Sequence, residues 1–235
     1  MTFFSRLPLM RQTWNHIVWC HWPVEPEQVS AFLPAGLTPD LFEGKAWVGL
    51  IPFSMQNLRV PGLSFLTRLL RVNNFGEVNV RTYVTGPDGT SGVWFCTLDS
   101  DDWLAVATAN GAFGLPYRLA RTHLEKTSTS RRWVSRRRRD DARAEVAVTF
   151  DDHSWRPARE GLETFLVERY RLFTLRRGKL YRGELHHQPW SVAPATLTHL
   201  VNETVAAAGV SVSGEPHVLV GQPVDVTVYP LQRVR

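Results

Sequence analysis

Cysteine is nearly absent: two of 235 residues. Two thiols cannot build the multi-bridge framework on which small secreted scaffolds depend. Cys20 and Cys96 sit among aromatics, in Trp19-Cys20-His21-Trp22 and Trp94-Phe95-Cys96, and read as buried reduced thiols. Lysine is scarce as well: of 27 Lys and Arg residues only Lys45, Lys126 and Lys179 are lysine. No run approaches the roughly 18–20 uninterrupted apolar residues of a spanning helix, and the mean hydropathy is −0.19. The N-terminal stretch MTFFSRLPLMRQTW lacks a continuous apolar core and a small-residue cleavage pattern, so it does not read as a signal peptide. The cytoplasm is the expected compartment, with no membrane partner. A Gly-rich phosphate loop, a Walker pattern, Gly-x-Ser-x-Gly and His-Glu-x-x-His are all missing, so no cofactor, no metal and no serine-hydrolase chemistry are expected.

What is present is a chain rich in core-forming residues, 43% hydrophobic and 11% aromatic. A domain of this length can bury about 70–75% of its unfolded surface. No repeat or low-complexity linker divides it, so residues 1–235 are expected to form a single domain. The net charge of +5 is concentrated between Arg131 and Arg139, and Asp140-Asp141 follow at once. Such a run suits either a nucleic-acid patch or a solvated hairpin end. No helix-turn-helix, zinc-finger or RNP pattern accompanies it, so the expectation is a surface strand or hairpin limb with no nucleic-acid role.

Strand signals dominate. Trp47 to Met55, Glu77 to Val84, Gly92 to Leu98, Glu145 to Phe150, Leu180 to His187 and Pro223 to Tyr229 alternate or are β-branched and aromatic. Gly86-Pro87-Asp88-Gly89 and Arg177-Gly178-Lys179 read as hairpin turns. Helices are expected over Glu25 to Leu33, Trp103 to Asn110 after an Asp102 cap, Gly161 to Tyr170 and Thr198 to Ala208, with a fifth over 61–70. Many antiparallel strands with a few helices packed outside make an α+β fold, a curled sheet or closed barrel.

The most informative stretch is Glu77 to Val84. Side chains alternate across a strand, so Glu77, Asn79, Arg81 and Tyr83 share one face while Val78, Val80, Thr82 and Val84 share the other. The polar row either faces water on an amphipathic strand or faces a barrel interior as a ligand site. Glu77 and Arg81 would lie about 13 Å apart along the strand, leaving room for Asn79 or a ligand between them. The histidines read as structural: His186 and His187 are adjacent and point to opposite faces, and His16 and His21 have neither strand nor helix spacing. Glu168-Arg169-Tyr170 reads either as a buried pair closing a cavity or as a plain strand-entry ion pair.

Two resemblances extend this reading. Gly114-Leu115-Pro116-Tyr117-Arg118 resembles the Gly-Phe-Pro-Lys-Lys segment of acetoacetate decarboxylases, and Gly76-Glu77-Val78 resembles their Asn-Glu-Val strand. Over nearly the whole chain the sequence is similar to the YqjF-like family of uncharacterised bacterial proteins. That likeness runs through His21-Trp22-Pro23, Leu33-Pro34-Ala35-Gly36-Leu37, Gly44-Lys45-Ala46-Trp47-Val48-Gly49, Pro52-Phe53, Glu77 to Val84, Gly92-Val93-Trp94-Phe95, Ser100, Leu115-Pro116-Tyr117, Glu168-Arg169-Tyr170 and His187-Gln188-Pro189-Trp190.

The resemblance implies a cone-like antiparallel barrel, acetoacetate decarboxylase-like, around a small-molecule cavity. It also marks a departure. In the decarboxylases the first lysine of the segment forms a Schiff base and the second lowers its pKa. Tyr117 and Arg118 stand at those positions, and neither forms an imine. The three lysines read as exposed. What the resemblance still implies is a cavity that recognises a small anionic organic molecule. Arg81, Arg118 and Asn79 would bind the ligand, Glu77 would act as acid or base, and Tyr117 would orient a carbonyl. A binding module and a lysine-independent enzyme for a keto acid are both compatible with these residues, and a homo-oligomer is left open.

Overall fold

The computed structural model describes residues 7–62 and 74–234. Its strands in chain order are β1 (Met10–Asn15), β2 (Val18–Val24), β3 (Thr38–Pro39), β4 (Ala46–Arg59), β5 (Asn74–Thr85), β6 (Ser91–Ser100), β7 (Tyr117–Lys126), β8 (Ser130–Arg137), β9 (Arg143–Phe150), β10 (Arg156–Pro157), β11 (Arg171–Arg176), β12 (Lys179–His186), β13 (Ser191–Asn202), β14 (His217–Gly221), β15 (Val224–Val228) and β16 (Gln232–Arg233). The helices are short: α1 (Pro26–Ser30), α2 (Trp103–Thr108), α3 (Leu162–Val167) and α4 (Glu203–Ala207). Among the described residues no helix is long and apolar enough to cross a membrane.

The strands form one curled sheet that is not a clean barrel. Its pairings close two cycles that share β4, β5 and β6. One cycle runs β1-β15-β12-β11-β6-β5-β4 and back to β1; the other runs through β6, β7, β8, β9, β13, β14, β2 and β4. This arrangement explains why the shared strands carry two differently buried faces. On β4, Ile51, Phe53 and Met55 face the first cycle, while Val48 and Leu50 join the core of the second. On β5, Val78 and Val80 pack with Trp133, Val146 and Val148 in that second core. Neither face of β5 meets solvent, so the amphipathic-strand reading does not apply.

A bulge in β6 re-aims that strand. Val80 pairs with Thr97 and Arg81 with Phe95, so Cys96 is the extra residue. Val93 and Phe95 point into the first cycle; past the bulge it is Leu98 that does so. Thr97 and Asp99 are thereby turned the other way, where both meet Arg137. A bulge that redirects side chains beside a cavity is a recurrent use of this irregularity.

Sequence and structure differ along several stretches, and the expected helices over Glu25 to Leu33 and Gly161 to Tyr170 are shorter, Pro26–Ser30 and Leu162–Val167. Thr198 to Asn202 is strand, not helix: His199 to Asn202 pair with Ala147 to Ala144 on β9 and Thr198 is the extra residue at a register shift; helix begins only at Glu203. The basic run is not wholly a surface feature. It forms β8 and alternates: Arg132 and Arg136 are exposed, but Arg131 and Arg137 are 7% and 4% exposed. Arg131 donates to the carbonyls of Ile17 at 2.6 Å and Gly221 at 3.1 Å, and Arg137 pairs with Asp99 at 2.9 Å. Helix α2 runs to Thr108 and continues as a π-turn over Ala109–Phe113. The fifth expected helix lies outside the described residues from position 63 onward. Both cysteines carry free thiols, Cys20 buried and Cys96 half-buried, and burial pushes each up to about 12, well away from nucleophilic use at neutral pH.

Candidate functional site

The first cycle encloses a cavity of about 460 Å³, within the range of small-molecule sites. Most of its wall is apolar, with Ile17, Trp19, Ile51, Phe53, Met55, Phe75 and Leu185 among the lining side chains. Its polar groups are few. Glu77, Asn79 and Arg81 line it from β5, Tyr117 from β7, and Gln12, Arg169 and His187 from neighbouring segments. The period-two row read from the sequence thus faces inward, with Glu77 2%, Asn79 4% and Arg81 9% exposed.

Tyr117 reaches Glu77 over β6, the strand that lies between β5 and β7. Its hydroxyl donates to Glu77 Oε2 at 2.6 Å. Parallel pairing of Leu98 with Tyr117 puts the tyrosine on the inward face of β7. Arg118, the next residue, therefore faces away; it is exposed and does not line the cavity. Arg118 therefore does not join Arg81 and Asn79 on the ligand as expected, for the alternation reason that made the β5 row legible. Burial lifts the Glu77 carboxyl to about 7, partly offset by hydrogen bonding from Tyr117 and Asn79 and reinforced by Asp99. Burial likewise holds the Tyr117 phenol well above its usual range, so it is a neutral donor. Tyr117 keeps its proton and donates to Glu77, whose carboxyl takes up and releases its own proton near neutral pH.

The segment leading into Tyr117 is tightly held. Asn110, on the π-turn, accepts from the Tyr117 amide at 2.8 Å and donates to its carbonyl at 3.1 Å. Gly114 ends that turn at φ +67°, and a Cβ there would lie 2.3 Å from the Leu175 carbonyl oxygen. Gly114→Ala is expected to cost about 2 kcal/mol or more and to lower the melting temperature by roughly 4–8 °C. An unchanged melting temperature would show that this turn does not hold Tyr117 in place.

Arg81 occupies the other end of the row. Its Nη2 donates to the Leu166 carbonyl at 3.0 Å and to the Tyr83 hydroxyl at 3.3 Å. Among the described residues no carboxylate pairs with it and Nη1 has no protein partner; Nε is buried without one. A buried guanidinium without a counter-charge is unusual, because desolvation of a lone charge costs several kcal/mol. It is braced instead by neutral groups. Tyr83 gives its proton to Leu166 at 2.8 Å and contacts His21 Nε2 at 2.6 Å. With the tyrosine proton committed, His21 donates from Nε2. Burial first, then the Arg81 charge, hold the imidazole well below its ordinary pKa, so it stays neutral. Gly49 pairs with Arg81 across β4 and β5, and a Cβ there would meet the His21 ring at 2.7 Å; only glycine leaves space for this brace.

Arg169, His187 and the cluster of Trp14, Trp19 and Trp190 also line the cavity and are not among the ligand-binding residues expected from sequence. Arg169 lies over the Tyr83 and Phe165 rings at 4.8 and 4.2 Å, and its charge is answered by Asp40 at 2.6 Å. Glu168 takes different partners, the Tyr170 hydroxyl and the Trp190 amide, so neither expected reading of Glu168-Arg169 as a pair holds. His187 is stacked on Tyr170 at 4.6 Å and its Nδ1 donates to the Gln188 carbonyl at 2.7 Å. Trp14 and Trp190 stack at 6.4 Å, and Trp19 meets Trp190 edge-on at 4.8 Å. The alternation Met10, Gln12, Trp14 is a sequence signal for the β1 wall of the cavity. Among the described residues no group of three or more His, Cys, Asp or Glu side chains is placed to hold a metal ion. The three lysines lie elsewhere: Lys45 pairs with Glu25 at 2.5 Å, Lys126 contacts His16 at 2.6 Å, and Lys179 is exposed at the β11–β12 turn.

Comparison with known proteins gives three findings. Residues 11–225 match the DUF2071 family, described as an uncharacterized conserved protein. The uncharacterized protein YqjF of Bacillus subtilis (strain 168) is 35% identical over 227 residues, covering 96% of this chain and 92% of that one. Among solved structures, the enduracididine biosynthesis enzyme MppR complexed with pyruvate superposes with a TM-score of 0.72 at 15% identity, over 99% of this chain and 92% of that one. Acetoacetate decarboxylase from Legionella pneumophila gives 0.68 at 14% identity, over 100% and 90%. At such identities the likeness is one of fold.

Proposed function

The chain belongs to the DUF2071 family and has an acetoacetate decarboxylase-like fold; from that premise we propose that its cavity binds a small organic anion and performs no Schiff-base decarboxylation. The observation that carries this reading is Arg81, nine-tenths buried, lining the cavity and without a carboxylate partner among the described residues. An entering carboxylate would supply the missing counter-charge and accept from Nη1. Glu77 does not oppose it while protonated. The chemistry of an imine needs a lysine amine in the cavity, and none of the three lysines lines it.

Treatment with acetoacetate and borohydride is therefore expected to leave the mass of the protein unchanged. A reduced adduct on Lys45, Lys126 or Lys179, with carbon dioxide release, would overturn the reading. Pyruvate, the ligand held by MppR, is the first anion to test here. At about 100 times its dissociation constant a ligand adds roughly 2.7 kcal/mol of stability, which a thermal shift reads directly. Arg81→Met should abolish that shift.

A second reading is favoured by the 2.6 Å Tyr117–Glu77 contact. A carboxyl near neutral pKa beside a neutral phenol suits proton transfer at the carbon next to a carbonyl. Proton–deuterium exchange at the methyl group of pyruvate, followed by NMR, tests it: exchange lost in Glu77→Gln supports turnover, and exchange equal to buffer alone removes it.

A further inference from the structure

Resting on the anion-site reading above, we propose that the ligand is a monocarboxylate with an extended apolar body, its head on Arg81 and its body along β5 toward Phe53, Phe75 and Trp14. Arg81 marks one end of the cavity. Moving along β5, Asn79 is opposite Ile51, Glu77 opposite Phe53 and Phe75 opposite Met55 on β4, and Met55 in turn is opposite Trp14 on β1. Arg81 and Phe75 are six positions apart, a span of about 20 Å in a strand. The far end of that span is walled by aromatic rings: Trp14 meets Phe53 at 5.5 Å and stacks on Trp190.

Charge sets the number of carboxylates. Of the two guanidiniums lining the cavity, Arg169 already has Asp40; only Arg81 is unanswered among the described residues. A second carboxylate on the ligand would be driven against Phe53, Phe75 and Met55, where nothing repays its desolvation. Volume sets the body. At about 30 Å³ per water, 460 Å³ holds on the order of 15 waters, so a three-carbon acid would leave most of the apolar wall unfilled. An aliphatic or aromatic body would displace that water from the Ile51, Phe53, Met55 and Phe75 side of the wall, which cannot hydrogen-bond it.

The test is isothermal titration of the native protein with straight-chain carboxylates from butyrate to decanoate, with pyruvate and decanamide as controls. The dissociation constant is expected to fall about 4-fold for each added methylene until the cavity is full. Decanamide, which lacks the charge, is expected to bind at least about 10-fold more weakly than decanoate, and Arg81→Met should erase that difference. Pyruvate binding that needs Arg81, together with a flat chain-length series, would overturn the apolar-body proposal and leave the anion site standing. Decanamide binding as tightly as decanoate, or no binding by any carboxylate, would overturn both. The amide comparison uses unaltered protein, so it decides even if Arg81→Met fails to fold.

Discussion

Replacing Glu77 by glutamine is expected to stabilise the protein at pH 8 by about 3 kcal/mol. The reason is the cost of ionising a carboxyl inside the cavity wall. Glu77 is raised from 4.5 to about 7, chiefly by burial. Below 4.5 the group is protonated folded and unfolded, so it contributes no difference. As pH rises from 4.5 to 7 the unfolded chain releases this proton and the folded chain keeps it. Stability therefore falls across that window and levels off above it. Glutamine keeps the shape and can accept from Tyr117, but has no proton to lose. Denaturant titrations of both proteins from pH 4 to 8 check this: the curves should coincide near pH 4 and separate through pH 7. Asp99 is raised in the same direction, to about 6, so a residual slope between about 4 and 6 should persist in the variant. Curves that stay parallel would mean that Glu77 is ionised and solvated in the native state. A gain in stability together with loss of proton–deuterium exchange at the pyruvate methyl group is what a carboxyl kept for function predicts.

The second large effect is at Arg137. Its guanidinium donates to both oxygens of Asp99 at 2.9 and 3.0 Å and to Thr97 Oγ1 at 2.9 Å, with the pair 4% and 1% exposed. Removing the cation alone leaves a buried carboxylate without its partner, a loss of about 3–5 kcal/mol in comparable pairs. Arg137→Met should show that loss at pH 8 and a smaller one below pH 6, where Asp99 takes up a proton. Asp99→Asn with Arg137→Met should recover a large part of it, since no buried charge then remains. A double variant as unstable as Arg137→Met alone would mean that the loss comes from packing of the arginine stem and not from the charge. The pair also pins the bulge at Cys96, because Thr97 and Asp99 face Arg137 only after the strand has changed register.

These two sites separate what is local from what is not. The inward row Glu77, Asn79, Arg81 could be read from the chain because strand alternation has a period of two and needs no knowledge of partners. The turns at Gly86 to Gly89 and at Arg177-Gly178 were legible for the same kind of reason, since backbone geometry at a glycine is a local matter. The Asp102 cap accepts from Ala105 at 2.8 Å as its sequence position suggests. The resemblance of Gly114 to Arg118 to a lysine-bearing segment pointed to Tyr117 and Arg118 alike, of which Tyr117 lines the cavity; only the pairing of Leu98 with Tyr117 shows which of two neighbours faces in.

The basic run misled for a related reason. Nine positions of mostly arginine look solvated, yet alternation on β8 sends Arg131 and Arg137 inward to partners 114 and 38 residues away. Sequence by itself determined the strand-rich class, the absence of a cavity lysine candidate and the polar row on β5. The tertiary structure decided which strands close the two cycles, that both faces of β5 are buried, that His21 and Tyr83 brace Arg81, and that the arginine is left without a counter-charge. Those outcomes depend on contacts between residues far apart in the chain, whose energies no short window of sequence contains.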